Sequence, residues 1–107
     1  MSTRQNTDYG YEIQKVYLEM MMTDAETFVR CQAVFNPEAF DRRLQDGARF
    51  LHEYVTEHNA MPTFDMINAA TQVDIRHPGD LQESHYDWLL LEFETFSRHK
   101  ALEAAIL

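Results

Sequence analysis

Only one cysteine, Cys31, stands in the 107-residue chain. That excludes an internal disulfide framework and a cysteine-rich zinc module. Glycine and proline are scarce, three of each, which argues against a turn-dense all-β fold and against low-complexity disorder. Gly10, Gly47 and Gly79 make neither G-x-G-x-x-G nor G-x-x-x-x-G-K-[ST], so the phosphate-cradling loops are missing. Basic residues are half as many as acidic ones, nine against 18, for a net charge of −9. Such a surface repels phosphate, which speaks against nucleic-acid binding by this chain and against adsorption to an anionic membrane. No basic stretch precedes an apolar core near Met1, as a signal peptide requires. No apolar run reaches the roughly 18 residues of a membrane span. The expectation is a soluble, mostly helical domain with a cytoplasmic location.

What the chain does have is core-forming material, with 45% hydrophobic residues. A domain of this length buries roughly 65% of the surface its unfolded chain exposes. Residues 11–22 predict a first helix, with Ile13, Val16, Tyr17 and Met20 on one stripe. Met20, Met21 and Met22 spill past that stripe, either as flexible core filler or as an adaptable binding patch. Thr23-Asp24-Ala25-Glu26 has the spacing of a capping box and predicts a second helix through about Ala33. Its buried contacts are expected from Ala25, Phe28, Val29 and Cys31. Asn36-Pro37 is the next start signal, because Asn caps and Pro fits the first helical position. A longer helix is expected over 41–58, with Phe40, Leu44, Ala48, Leu51 and Val55 inward. Gly47 sits within it at a cost of up to about 1 kcal/mol against Ala, unless close packing requires it. Thr63 caps a short helix over 64–71, and 72–79 reads as a loop ending at Pro78-Gly79.

From Asp80 onward no Gly or Pro interrupts the chain. The prediction is one helix of about 40 Å, capped at Asp80 or broken near Ser84. Leu89, Phe93, Phe96 and Lys100 share one face, widened by Leu90 and Leu91. In the run from Ala101 to Leu107 only Glu103 is polar. A helix apolar on several sides has to be buried on several sides, and the rest of the chain is expected to cover one of them. The sequence ends on Ile-Leu without a cap. Three readings follow: a chain cut mid-helix, a helix packed on another chain, or a buried terminal helix in a small monomer. The expected division is 1–10 as a flexible N-terminus, 11–83 as a helical globular domain and 84–107 as the long helix.

Catalytic patterns are weak. His52 and His58 lie six residues apart, about 240° around a helix, and cannot chelate one ion together as the two His of H-E-x-x-H do. They are expected on a solvated face. Glu92, His99 and Glu103 share a face of the last helix, where an exposed His99–Glu103 pair is the simple expectation. Arg98-His99-Lys100 is a basic cluster, read as a solvated turn or as a contact for an acidic partner. Ser2, Ser84 and Ser97 lack a G-x-S-x-G context, and no carboxylate has a sequence setting suited to acid–base work.

Four stretches taken in order resemble a known module. They are Glu12-Ile13-Gln14-Lys15-Val16-Tyr17-Leu18, Asn36-Pro37-Glu38-Ala39-Phe40, Tyr54 through Thr63 with its Met61-Pro62-Thr63 helix start, and Trp88-Leu89-Leu90 followed by Arg98 through Leu107. The last carries an R-x-x-A-L-x-x-A-I pattern. Together they resemble the N-terminal domain of DnaB-type replicative DNA helicases, most closely the phage-encoded branch. The resemblance spans about residues 11–107. It implies an all-α fold: a small helical bundle followed by a long C-terminal helix that forms the first arm of a helical hairpin. It also implies a collar on a hexameric ring that docks primase and the helicase loader. The ATPase motor, with its ATP and Mg, then belongs to the parent protein, and this chain needs no cofactor or metal and carries no catalytic residue. Subunit or partner contacts are expected at Leu90, Phe93, Phe96, Leu102, Ile106 and Leu107. The location is then the cytoplasm, the host's if the protein is phage-encoded. The alternative is a free-standing acidic helical adaptor or inhibitor, for example a DNA mimic. A small metal-dependent enzyme is a third reading, resting on the His and Glu content.

Overall fold

The computed structural model describes residues 9–106, and of Ile106 only the backbone. Five α-helices and two 3₁₀ turns follow one another, with no strand among the described residues. They are α1 (Tyr11–Met21), α2 (Ala25–Cys31), 3₁₀ turns at Gln32–Val34 and Pro37–Ala39, α3 (Arg42–His58), α4 (Phe64–Thr71) and α5 (Glu83–Ile106).

α1 turns Gln14, Tyr17, Leu18, Met20 and Met21 inward. Of the expected stripe, Tyr17 and Met20 are buried, while Ile13 and Val16 sit half-buried at its edge. Met20, Met21 and Met22 are all core, so the adaptable-patch reading of these methionines falls away. The capping box at Thr23 does not form. Asp24 is the N-cap of α2 and makes no cap hydrogen bond to the backbone. The Thr23 hydroxyl donates instead to the Met20 carbonyl at 2.7 Å. Its one proton being used there, it accepts from the Tyr86 hydroxyl at 2.6 Å. α2 ends at Cys31 and buries Thr27, Phe28 and Cys31. Ala25 is exposed and Val29 is 57% exposed, contrary to the expected contacts.

Asn36 caps the second 3₁₀ turn by accepting from the Glu38 backbone N–H, with Pro37 at the first position. Asp41 caps α3 the same way through Arg43 N–H. Phe40, Leu44, Ala48 and Leu51 face inward as their spacing predicts, and Val55 packs at the margin. Asn59 ends α3 in the left-handed region at φ 53°, a conformation Asn tolerates better than most residues. Thr63 caps α4 through Met66 N–H at 3.1 Å. The segment after α4 is irregular, as expected, but not peripheral. Val73 and Ile75 are buried, and Ile75 is held by Asn68, whose side chain donates to the Ile75 carbonyl and accepts its N–H. This segment lies against Gly47: a Cβ there would meet Val73 Cγ1 at 2.9 Å, so close packing does require the glycine.

α5 starts at Glu83, not Asp80, and runs unbroken past Ser84. At its start the Gln82 N–H donates to His85 Nδ1. With 24 residues it is about 36 Å long, as long as the molecule itself (35 × 34 × 23 Å). It packs on α1, α2 and both 3₁₀ turns, while α3 packs on α1, α4 and the second turn. Phe93 and Phe96 are the centre of the core. Phe93 meets the rings of Tyr17, Phe35, Phe40 and Phe96 at 5.6–6.0 Å between centroids. Within the segment expected as a flexible N-terminus, residues 1–8 lie outside the described part. Tyr9 is buried against Phe96 and His99.

Candidate interaction surface

Packing against the rest of the chain takes one side of α5. Leu89, Phe93 and Phe96 point inward and are fully buried. Of the six positions expected to meet a partner, Phe93 and Phe96 are therefore used inside the bundle and offer no surface. Leu90 is half-buried against the core. Leu102 is 61% exposed. Leu107 and the side chain of Ile106 lie outside the described residues. The structure does not bring these positions together on one face.

A different row does share a face. Trp88, Leu91, Thr95, Arg98, Leu102 and Ala105 follow one another at spacings of three and four, and all are exposed. Leu91 is 70% exposed and Trp88, the only tryptophan, is 38% exposed. Two residues along a helix are about 200° apart, so Leu91 lies across the helix from Leu89 and Phe93. From Leu91 onward the row is the face away from the core, while Trp88 stands at its margin with its ring against buried Tyr17 at 6.1 Å; the spacing is the alternating three–four of a coiled-coil seam. α5 thus has one apolar face that its own chain covers and an outward row on which exposed Leu91 and Leu102 flank polar Thr95 and Arg98.

The basic side chains of α5 are paired within the helix. Arg98 pairs with Glu94 at 2.8 Å, and His99 and Lys100 both meet Glu103, at 3.0 and 3.4 Å. The basic cluster thus has acidic partners in its own chain, and the His99–Glu103 pair forms as its spacing predicts. Beside the exposed row lies an open groove of about 720 Å³ between α5 and the 3₁₀ turns, lined by Val34, Phe35, Ser97, Ala101 and Ala104 among others.

The sites that suggested chemistry are spent on structure. His52 is not on a solvated face: its ring stacks on Phe35 at 5.9 Å, and its Nδ1 is buried without a partner. His58 is exposed, as expected, and lies against Tyr54 at 4.4 Å. Glu92 accepts from the Tyr17 hydroxyl at 3.2 Å. Among the described residues no three His, Cys, Asp or Glu side chains are grouped to hold a metal ion. Cys31 is buried, and burial pushes its thiol up to about 11, the inert setting for a cysteine. Glu19, half-buried, is raised chiefly by loss of solvent. Its carboxylate accepts the Arg76 N–H at 2.8 Å and so holds the 72–79 segment against α1. No described helix is long and apolar enough to cross a membrane.

Sequence reasoning missed Trp88 and Leu91 as surface residues, although their three–four spacing with Leu102 was visible. No family model, curated protein or solved structure matches this chain.

Proposed function

We propose that this chain is an assembly and docking domain of a hexameric replicative DNA helicase of the phage-encoded type. In this reading it associates subunits and recruits primase or the helicase loader, and leaves ATP hydrolysis to a motor elsewhere in the parent protein. The assembly half of the reading is carried by one observation: the exposed, seam-spaced row on α5 opposite its buried face. Exposed Leu91 and Leu102 on that row are side chains that another helix would cover. The helicase half is carried by the order of the four sequence stretches that resemble the family. A charge of −9 suits a surface that meets proteins better than one that tracks DNA.

The test is the gene downstream of Leu107. The reading expects the frame to continue into a motor carrying G-x-x-x-x-G-K-[ST]. A stop codon directly after Leu107 contradicts it and favours the free-standing acidic adaptor. Binding of the purified chain to the primase or loader encoded in the same genome tests the docking half.

A further inference from the structure

We propose that the segment after α4 is a strap that tightens on α1 as pH falls and loosens as pH rises, with Glu19 as the group that senses the change. The device goes beyond the assembly reading and does not depend on it.

The strap is held in two ways. On one side its apolar side chains are sunk into the bundle, Val73 against Gly47 of α3 and Ile75 in the core. Asn68 of α4 brackets Ile75 with two hydrogen bonds, at 2.8 and 3.1 Å. On the other side the hold on α1 is the Arg76 N–H, which donates to Glu19 Oε2 at 2.8 Å. Past that bond, residues 76–80 are exposed.

The clasp on α1 is thus a carboxylate that stands half-buried when the strap is closed. An ionised carboxylate loses hydration there, and a neutral one loses far less. Its neighbours do not restore the balance. Lys15, one turn back on α1, favours the charge, while Glu12 on α1 and Asp74 on the strap oppose it. Arg76 brings its N–H to Glu19, but its guanidinium turns to Asp74 at 3.4 Å. Loss of solvent outweighs both the N–H bond and Lys15, so the Glu19 carboxyl is held above its ordinary 4.5.

Protonation does not unfasten the clasp, because the neutral acid keeps a carbonyl oxygen for the Arg76 N–H. It removes the buried charge. The closed strap therefore favours the acid form more than the open strap does. That extra grip is complete below 4.5, the value of the solvated group, and is lost as pH rises through the raised one. At neutral pH the strap closes over a charge. Its opening releases Val73, Ile75 and these hydrogen bonds without unwinding a helix, which is a local event, and it bares the face of α3 around Gly47.

Hydrogen exchange followed by NMR on the whole chain reads the strap directly, since the Ile75 and Arg76 N–H groups are bonded in its closed form. Rates corrected for intrinsic exchange give protection from about pH 4.5 to pH 7.5. Wild-type protection at these two amides is expected to fall about twofold to tenfold across that range, and to lie below that of Leu51 in the core of α3. Glu19→Gln keeps the length and a carbonyl acceptor but cannot ionise. It is expected to hold the acid-form protection throughout. Wild-type protection that stays level or rises with pH overturns the strap, and so does exchange as slow as that of Leu51. An equal fall in Glu19→Gln overturns the role of Glu19, as does loss of Arg76 protection in that variant at every pH. If the variant does not fold, the wild-type series decides by itself.

Discussion

The side-chain oxygen of Gln14 accepts the backbone N–H of Asp41 at 2.6 Å, across 27 residues of chain. The same amide donates to the Tyr9 carbonyl. Gln14 is buried, and both ends of its amide are satisfied. It joins the entry to α1 and the start of α3, whose backbone groups have no helical partner there. Gln14→Leu keeps the volume but removes both bonds and takes from the part-buried Asp41 N–H its side-chain acceptor, at about 1–3 kcal/mol. Urea denaturation is expected to show a lower midpoint with an unchanged slope.

Asp41 itself is held down to about 2 from an ordinary 3.8, first by the Arg43 side-chain hydrogen bonds and then by the Arg43 N–H. A carboxylate whose pKa falls on folding stabilises the fold above its unfolded value, and that stability is lost as pH falls through the folded one. The loss from this residue is therefore expected between about pH 4 and pH 2. Asp41→Asn keeps a capping side chain and removes this titration. Thermal melts against pH check it: the wild type should lose its advantage over the variant across that window, and a constant difference would contradict the assignment.

Gly47 is buried where α3 meets the segment after α4, with Val73 Cγ1 2.9 Å from the position of an added Cβ. Ala at a helix interior normally gains about 1 kcal/mol over Gly. Here a branched, stiff valine stands in the way, and overpacking costs about 1–3 kcal/mol. Gly47→Ala is expected to destabilise, and adding Val73→Ala is expected to recover part of that loss. A double-mutant cycle measures the coupling. Additive effects would show that the two residues do not meet.

Local signals were legible where local chemistry decides. Thr63 and Asn36-Pro37 start their elements as their side chains dictate, and the inward stripe of α3 follows its spacing. The failures are non-local. Thr23 has the residues of a capping box, but its hydroxyl turns back to the Met20 carbonyl and accepts from Tyr86, 63 positions away. Val73 and Ile75 sit in a loop by composition, yet Asn68 pins Ile75 and Val73 packs against Gly47. On α5 both rows of apolar residues are present in the sequence. Choosing which faces inward takes the aromatic cluster around Phe93, which is built from α1, the 3₁₀ region and α5 together. The expected contact set therefore mixed buried Phe93 and Phe96 with exposed Leu102, and omitted Trp88 and Leu91.

The central claim is that the outward row of α5 is the surface through which copies of the chain associate. Sedimentation equilibrium of the wild type and of Leu91→Glu/Leu102→Glu, from about 10 to 500 µM at low and high salt, tests it most directly. Both substituted residues are exposed, so the variant is expected to keep the wild-type circular dichroism and melting temperature. The account predicts wild-type self-association that strengthens with salt, a blue shift of Trp88 emission over the same concentrations, and a variant that stays monomeric. A monomeric wild type throughout, or a variant that associates as well as the wild type, would contradict it.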